Sequence, residues 1–192
     1  MIYLVIVLSW IVFCGIHSIT ASLWFKQWVA TRFGKLNRYY RLIYNGLALL
    51  TFLPVLWLHR MAPVDYVSSW QGSSWIGIVI IAIGLAVAVT ALRGYDLAEF
   101  MGWPLSVNQS GQPALRQSGM LSYVRHPLYT GIVLLLLGIW LLQPSWSYLM
   151  LLLLGVLYIR IGIHFEERKL IATFGRTYQQ YRERVPMLLP RF

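Results

Sequence analysis

Residues 127–159 read PLYTGIVLLLLGIWLLQPSWSYLMLLLLGVLYI, 33 positions without a charged side chain. At 1.5 Å of rise per residue a single helix of this length runs roughly 50 Å, too long for one crossing of ~30 Å of hydrocarbon. Gln143, Pro144 and Ser145 stand at the middle, and a proline removes a helical N–H and collides with the preceding turn. The stretch therefore predicts a hairpin of two short helices that returns to the side it left. Gly131 and Gly138, like Gly155 and Gly162, are seven residues apart, which puts each pair on one helix face and lets backbones approach closely.

Outward from the hairpin the same character continues. Of 192 residues, 58% are hydrophobic and only 11% charged, where a soluble domain is about a quarter charged. A water-soluble fold is excluded. The 16 Lys and Arg against 6 Asp and Glu give a net charge of +10; a nucleic-acid binder mounts such charge on a polar body, so here it faces a membrane surface and no nucleic-acid partner is expected. The one cysteine, Cys14, sits in an apolar run as a small hydrophobe, and no His or Cys pair has ligand spacing, so no metal is expected. Met1–Phe25 reads as a retained first span, Leu42–Leu58 as a second, closed by Pro54 and then His59 and Arg60, and Trp75–Leu92 as a third. With the hairpin this predicts an all-α integral membrane protein of about five transmembrane helices, or three plus a re-entrant hairpin, forming a single membrane domain over 1–192.

Lys and Arg collect on the cytoplasmic side of a membrane protein. Fifteen of the 16 fall in the first loop, in the segment around Arg93, Arg116 and Arg125, or between Arg160 and Arg191, and only Arg60 falls in the second loop. The N-terminus is thus expected outside and the C-terminus cytoplasmic. The 94–126 segment, broken by Gly102, Pro104, Gly111, Pro113 and Gly119, is too long for a passive connector. From His164 to Val185, Leu170, Ile171, Phe174, Tyr178, Tyr181 and Val185 recur at helical spacing among basic residues, predicting a cytoplasmic amphipathic C-terminal helix at the headgroups, with Gly175 a possible break.

Three clusters carry candidate chemistry. Arg125-His126-Pro127-Leu128-Tyr129-Thr130-Gly131 opens the hairpin. Arg125 serves equally as a membrane anchor and Pro127 as an ordinary first helical residue, yet a helix start with its free N–H groups beside Arg125 and His126 also suits a ligand carboxylate. Glu166 and Glu167 point about 100° apart on a helix, so one at most faces a given pocket; two of only six acids at the mouth of a membrane hairpin suit a cation or a hydroxyl. His17-Ser18 and His164 lie near the inner ends of the first and last spans, where a histidine is ordinarily a hydrogen-bonded packing residue. Asp96 and Glu99 suit a cap or a pairing with Arg93.

The string RHPLYTG, the hairpin, and then FEERKLIATFGRTYQQYRERVPMLLP resemble the C-terminal half of the isoprenylcysteine carboxyl methyltransferase and phospholipid methyltransferase superfamily. The shared pattern is R-H-P-x-Y-x-G, an E-E pair, and F-G-x-x-Y-x-x-Y before a proline, over roughly residues 120–190. The finer likeness is to the NnrU and methanethiol S-methyltransferase branch, carried by His17-Ser18, the acidic segment 95–102 and Phe165-Glu-Glu-Arg168. Where the carboxyl methyltransferases place an arginine four residues before the E-E pair, this chain has Gly162, with Arg160 two residues further back.

The resemblance implies an enzyme using S-adenosylmethionine, bound by the 120–192 half. Its carboxylate would sit at the helix begun by Pro127, among Arg125, His126, Leu128, Tyr129 and Gly131, and its ammonium or ribose hydroxyls on Glu166 or Glu167. A thiol acceptor reacts as thiolate, whose pKa falls beside a cation; Arg160, His126 and His164, in that order, are the candidate catalytic residues. The acceptor expected is small and apolar, or lipidic, reached from the bilayer, a thiol or isoprenylcysteine-like group. The alternatives are a non-catalytic NnrU-like accessory protein, a phospholipid N-methyltransferase, or a transporter. The oligomeric state is not predicted.

Overall fold

A computed structural model describes residues 1–67, 73–94, 101 and 115–191. Asp96, Glu99 and most of the 95–114 segment, including Gly102, Pro104, Gly111 and Pro113, lie outside the described residues. The described chain is helical and carries seven α-helices: α1 (Ile2–Ala21), α2 (Leu23–Phe33), α3 (Tyr40–Met61), α4 (Ser73–Arg93), α5 (Pro127–Leu142), α6 (Trp146–Phe174) and α7 (Arg176–Arg184), with 3-10 turns at Gly34–Tyr39 and Gly119–Ser122. Four helices, α1, α3, α4 and α6, are long and apolar enough to cross a membrane, and α5 is a shorter apolar helix. The large apolar side chains left exposed along them are mostly Leu, Ile, Val and Trp, the composition of a surface that faces lipid.

The helices fall into two compact units. The first is Met1–Val64 together with Met101. Here α1 and α3 pack antiparallel through aromatic and histidine contacts: Trp10 Nε1 donates to His59 Nε2 at 3.0 Å, Tyr44 Oη lies 2.7 Å from His17 Nε2, and Trp10 and Phe13 both meet Phe52. The tyrosine partner places His17 among the packing residues of α1. The first apolar run is not one span to Phe25: α1 stops at Ala21, and Ser22 turns the chain and caps α2, its Oγ accepting from Phe25 N at 3.2 Å. A serine can satisfy a free helical N–H, so it divides an otherwise continuous apolar stretch. Pro54 does not close the second span either. It lies inside α3, which continues to Met61 with Val55 and His59 buried, since apolar packing holds a transmembrane helix through the loss of one bond.

The second unit holds 65–94 and 115–191. Its centre is the seam between α4 and α5. A Cβ on Gly138 would stand 2.6 Å from Ile81 Cγ1 and 2.9 Å from Gly77 O, and one on Gly131 would stand 2.9 Å from Gly84 O, so glycine faces glycine and the two backbones touch. Gly155 is buried in α6, but a Cβ on Gly162 would meet open space. Among the described residues the expected close approach at Gly162 is absent.

Gln143–Ser145 does turn the chain, and Ser145 caps α6. The turn is fastened to the residues before α4 by Val67 N–H to Pro144 O at 2.7 Å and Trp146 N–H to Asp65 O at 3.1 Å. The expectation of two short helices fails for the second arm, since α6 has 29 residues. Its apolar section passes directly into His164–Phe174 because no helix breaker separates them. The break comes at Gly175, whose φ of 54° and ψ of −128° suit only glycine. The anticipated 164–185 helix is therefore the last turns of α6 followed by α7.

Candidate functional site

At one end of the second unit the start of α5, the last turns of α6 and the chain after α7 converge. His126 stands at the N-cap of α5 and Pro127 opens it, and among the described residues no side chain caps the helix. Proline suits that position because its missing N–H is one that has no helical partner. Glu167 projects from α6 toward this start. Its Oε1 accepts from Arg125 Nε at 2.8 Å and lies 2.8 Å from Arg125 Nη2 and 3.2 Å from His126 Nε2. The two NH groups of the guanidinium thus share one carboxylate oxygen, while Oε2 stands 3.9 Å from Arg182 Nη1. The side chains of Arg125 and Glu167 are only 7% and 10% exposed, so each charge is held out of water by the other.

The chain beyond α7 closes over this pair. Arg125 Nη1 donates to the carbonyls of Arg182 and Val185, and the backbone N–H groups of Arg125 and His126 donate to Pro186 O at 2.9 Å and Met187 O at 3.1 Å. Thr130 Oγ1 donates to Leu188 O at 2.8 Å, and Tyr181 Oη to Leu121 O at 2.6 Å. Residues 185–188 thereby form a clasp across the start of α5. Beneath it Tyr178 is 1% exposed, with its hydroxyl beside the Glu167 carboxylate. Burial, with the Glu167 carboxylate nearby, pushes this phenol well above its ordinary pKa.

The sequence-predicted residues separate into those the fold gathers and those it does not. Arg125, His126, Pro127 and Glu167 come together, and Gly131 is committed to the seam with α4. Tyr129 packs its ring 5.7 Å from that of His126, and Leu128 lies beside it in the first turn. The two glutamates take different positions: Glu167 is buried, whereas the Glu166 side chain is 44% exposed, with Oε2 4.0 Å from His126 Nδ1. Arg160 and His164 are exposed on α6 and are not in the ion cluster. Arg160 lies about two turns, ~10 Å, before Glu167 on nearly the same side of the helix.

Sequence reasoning missed Arg182 and the backbone of 185–188 as members of this site. The proline in the F-G-x-x-Y-x-x-Y…P pattern was the available signal, since Pro186 lies in the clasp and contributes only a carbonyl. Among the described residues no group of three or more His, Cys, Asp and Glu is placed to hold a metal.

Comparison with known proteins gives one family match and three relatives. The phospholipid methyltransferase family matches residues 73–177. Methanethiol S-methyltransferase 2 of Bradyrhizobium diazoefficiens is 35% identical over 186 residues, covering 91% of this chain and 68% of that protein. Methanethiol S-methyltransferase of a Pseudomonas species is 28% identical over 189 residues, 93% of this chain and 70% of that one. A shorter match, 37% identical over 73 residues, joins 38% of this chain to 31% of the protein-S-isoprenylcysteine O-methyltransferase of Schizosaccharomyces pombe. No solved structure matches.

Proposed function

The chain belongs to the phospholipid methyltransferase family, a family of membrane methyltransferases, and we propose that it transfers a methyl group from S-adenosylmethionine to a small thiol of the methanethiol kind. The observation that carries the reading is the convergence of Arg125, His126 and Glu167 on the uncapped start of α5, across a family match that spans all three. The thiol class is taken from the two methanethiol S-methyltransferase relatives, which align over nine-tenths of the chain.

The residues present fit such a cofactor. An uncapped helix start with partial positive charge suits a carboxylate. Its donors are the first-turn N–H groups after Pro127, because those of Arg125 and His126 are taken by the clasp. The half-exposed Glu166 is the carboxylate open to an ammonium or a ribose hydroxyl. When bound, S-adenosylmethionine supplies an electrophilic methyl group.

The division of labour among the chain's own groups follows from their burial. Arg125 is spent on Glu167 and on two tail carbonyls, so it positions the α5 start and the clasp and does not reach outward. His126, fixed through Nε2 by Glu167, turns its other nitrogen toward Glu166 and holds the two acidic groups at one level. The clasp excludes water from the helix start, which strengthens every charge interaction there. Arg160, the cation deeper along α6, is the group that stabilises a thiolate, and in-line transfer then needs only that acceptor and methyl be held in register. The site is read as facing the cytoplasmic side, where the Lys and Arg of this unit gather.

Calorimetry of the purified chain with S-adenosylhomocysteine tests the cofactor. Binding that weakens more than tenfold in Glu166→Gln and His126→Ala, with the melting temperature of Glu166→Gln unchanged, is the expected result. No binding by protein shown to be folded overturns the reading. Transfer of labelled methyl to methanethiol, in preference to a prenylcysteine or a phospholipid, tests the acceptor; incorporation into phospholipid alone replaces the thiol with a lipid amine.

A further inference from the structure

Helix α2 and the 3-10 turn after it belong to the first unit. They connect α1 to α3, two apolar helices packed side by side, so both ends of the 22–39 connection are pinned at one end of that pair. No residue of α2 is buried. An isolated helix of 11 residues is marginal in water, and this one exposes Leu23 (58%), Trp24 (69%), Trp28 (47%) and Phe33 (49%). Its aromatic rings are instead organised along the helix: Phe25 stacks on Trp28 at 5.5 Å, and Trp28 meets Phe33 edge-on at 5.8 Å.

The charge of this segment is one-sided. Lys26, Arg32, Lys35, Arg38 and Arg41 fall between residues 22 and 41, and no acid precedes Asp65. Arg38 is occupied by Tyr39, lying 4.6 Å over its ring and donating to its hydroxyl. Among the described residues, Lys26 and Arg32 have no anionic partner. Amphipathic aromatic rings settle at headgroup depth, and cations on long stems reach from there to phosphate.

From the unburied aromatic helix, the cations without an anionic partner among the described residues and the pinned ends we infer that α2 forms a docking surface for anionic phospholipid headgroups of the leaflet that meets the α1–α3 connection. The partner is lipid because α2 has no buried residue, joins two apolar helices, and carries positive charge that matches anionic headgroups. Lys26 and Arg32 contact phosphate, and Trp24 and Trp28 lie at the glycerol level.

The test reconstitutes the full chain in nanodiscs of phosphatidylcholine containing equal fractions of either brominated phosphatidylglycerol or brominated phosphatidylcholine. Quenching of Trp24 and Trp28 is isolated by difference from the Trp24→Phe/Trp28→Phe variant. The anionic quencher is expected to act more strongly. Its advantage should fall by up to about fivefold for each cation removed in Lys26→Gln/Arg32→Gln, and should collapse for the unmodified chain at about 1 M salt, where screening acts within ~3 Å. Equal quenching by the two lipids overturns the inference, as does an advantage that survives both the double substitution and the salt. Absence of quenching by either lipid places α2 in water or against another protein, and also overturns it.

Discussion

Replacing Glu167 by alanine leaves the Arg125 guanidinium buried with no carboxylate. Arg125 and Glu167 are 7% and 10% exposed, so little solvent screening enters, and breaking a buried pair on one side costs about 3–5 kcal/mol. Because Arg125 also holds the Arg182 and Val185 carbonyls, much of that loss falls on the clasp. At 1.4 kcal/mol per factor of ten, the lower figure raises the open population of the tail roughly 150-fold. Limited trypsin digestion in detergent reads this directly, since Arg182 and Arg184 are exposed and cleavage there tracks opening when reclosure is fast. Glu167→Ala should be cut after these arginines about two orders of magnitude faster, with a lower melting temperature. Glu166→Ala is the control: its carboxylate is 44% exposed and 4.0 Å from His126, a pair worth at most about 1 kcal/mol. If Glu167→Ala is cut no faster than the parent, or Glu166→Ala opens the tail equally, the pair does not hold the clasp.

Four further outcomes follow from the same geometry. Gly138→Ala forces the α4 and α5 backbones apart and should cost about 1–3 kcal/mol in unfolding experiments, whereas Gly162→Ala meets open space and should be neutral or slightly stabilising. Ser145→Ala removes the cap of α6 and should lower stability by about 1 kcal/mol. Tyr178 resists ionisation in the fold, so its contribution is present below the ordinary tyrosine pKa of about 10 and is lost as pH rises toward the elevated folded value. The parent should therefore lose stability above about pH 10 relative to Tyr178→Phe, and parallel loss in both removes Tyr178 from the explanation. Arg160→Gln should lower kcat with a thiol acceptor and shift its pH profile upward while leaving S-adenosylhomocysteine affinity unchanged; an unshifted profile excludes Arg160 as the thiolate's cation.

The membrane character and the hairpin turn were legible because they rest on strong one-dimensional signals: apolar length, and a proline in an otherwise unbroken run. The convergence of Arg125 and His126 with the E-E pair was also legible, although 41 and 42 residues separate His126 and Arg125 from Glu167, because the motif order supplied what local pattern does not. Helix ends were harder. Ser22 divides Met1–Phe25 through a single cap hydrogen bond, and hydropathy registers nothing when one serine sits among leucine and tryptophan. Pro54 stays inside α3 for the complementary reason, since packing decides whether a proline ends a helix. Which glutamate is buried depends on rotation about α6, and only the approach of α5 fixes it. The clasp works through carbonyls at 182, 185, 186, 187 and 188, which no choice of side chain announces.

That clasp has a consequence for biosynthesis. Arg125 enters the bilayer dozens of residues before its carbonyl partners exist, and during that interval its guanidinium and the two amides beside it must be satisfied by headgroups or water. A chain interrupted anywhere between Phe174 and Leu188 would insert all its apolar helices and still leave that corner unlatched, a species competent for membrane targeting and open to proteases.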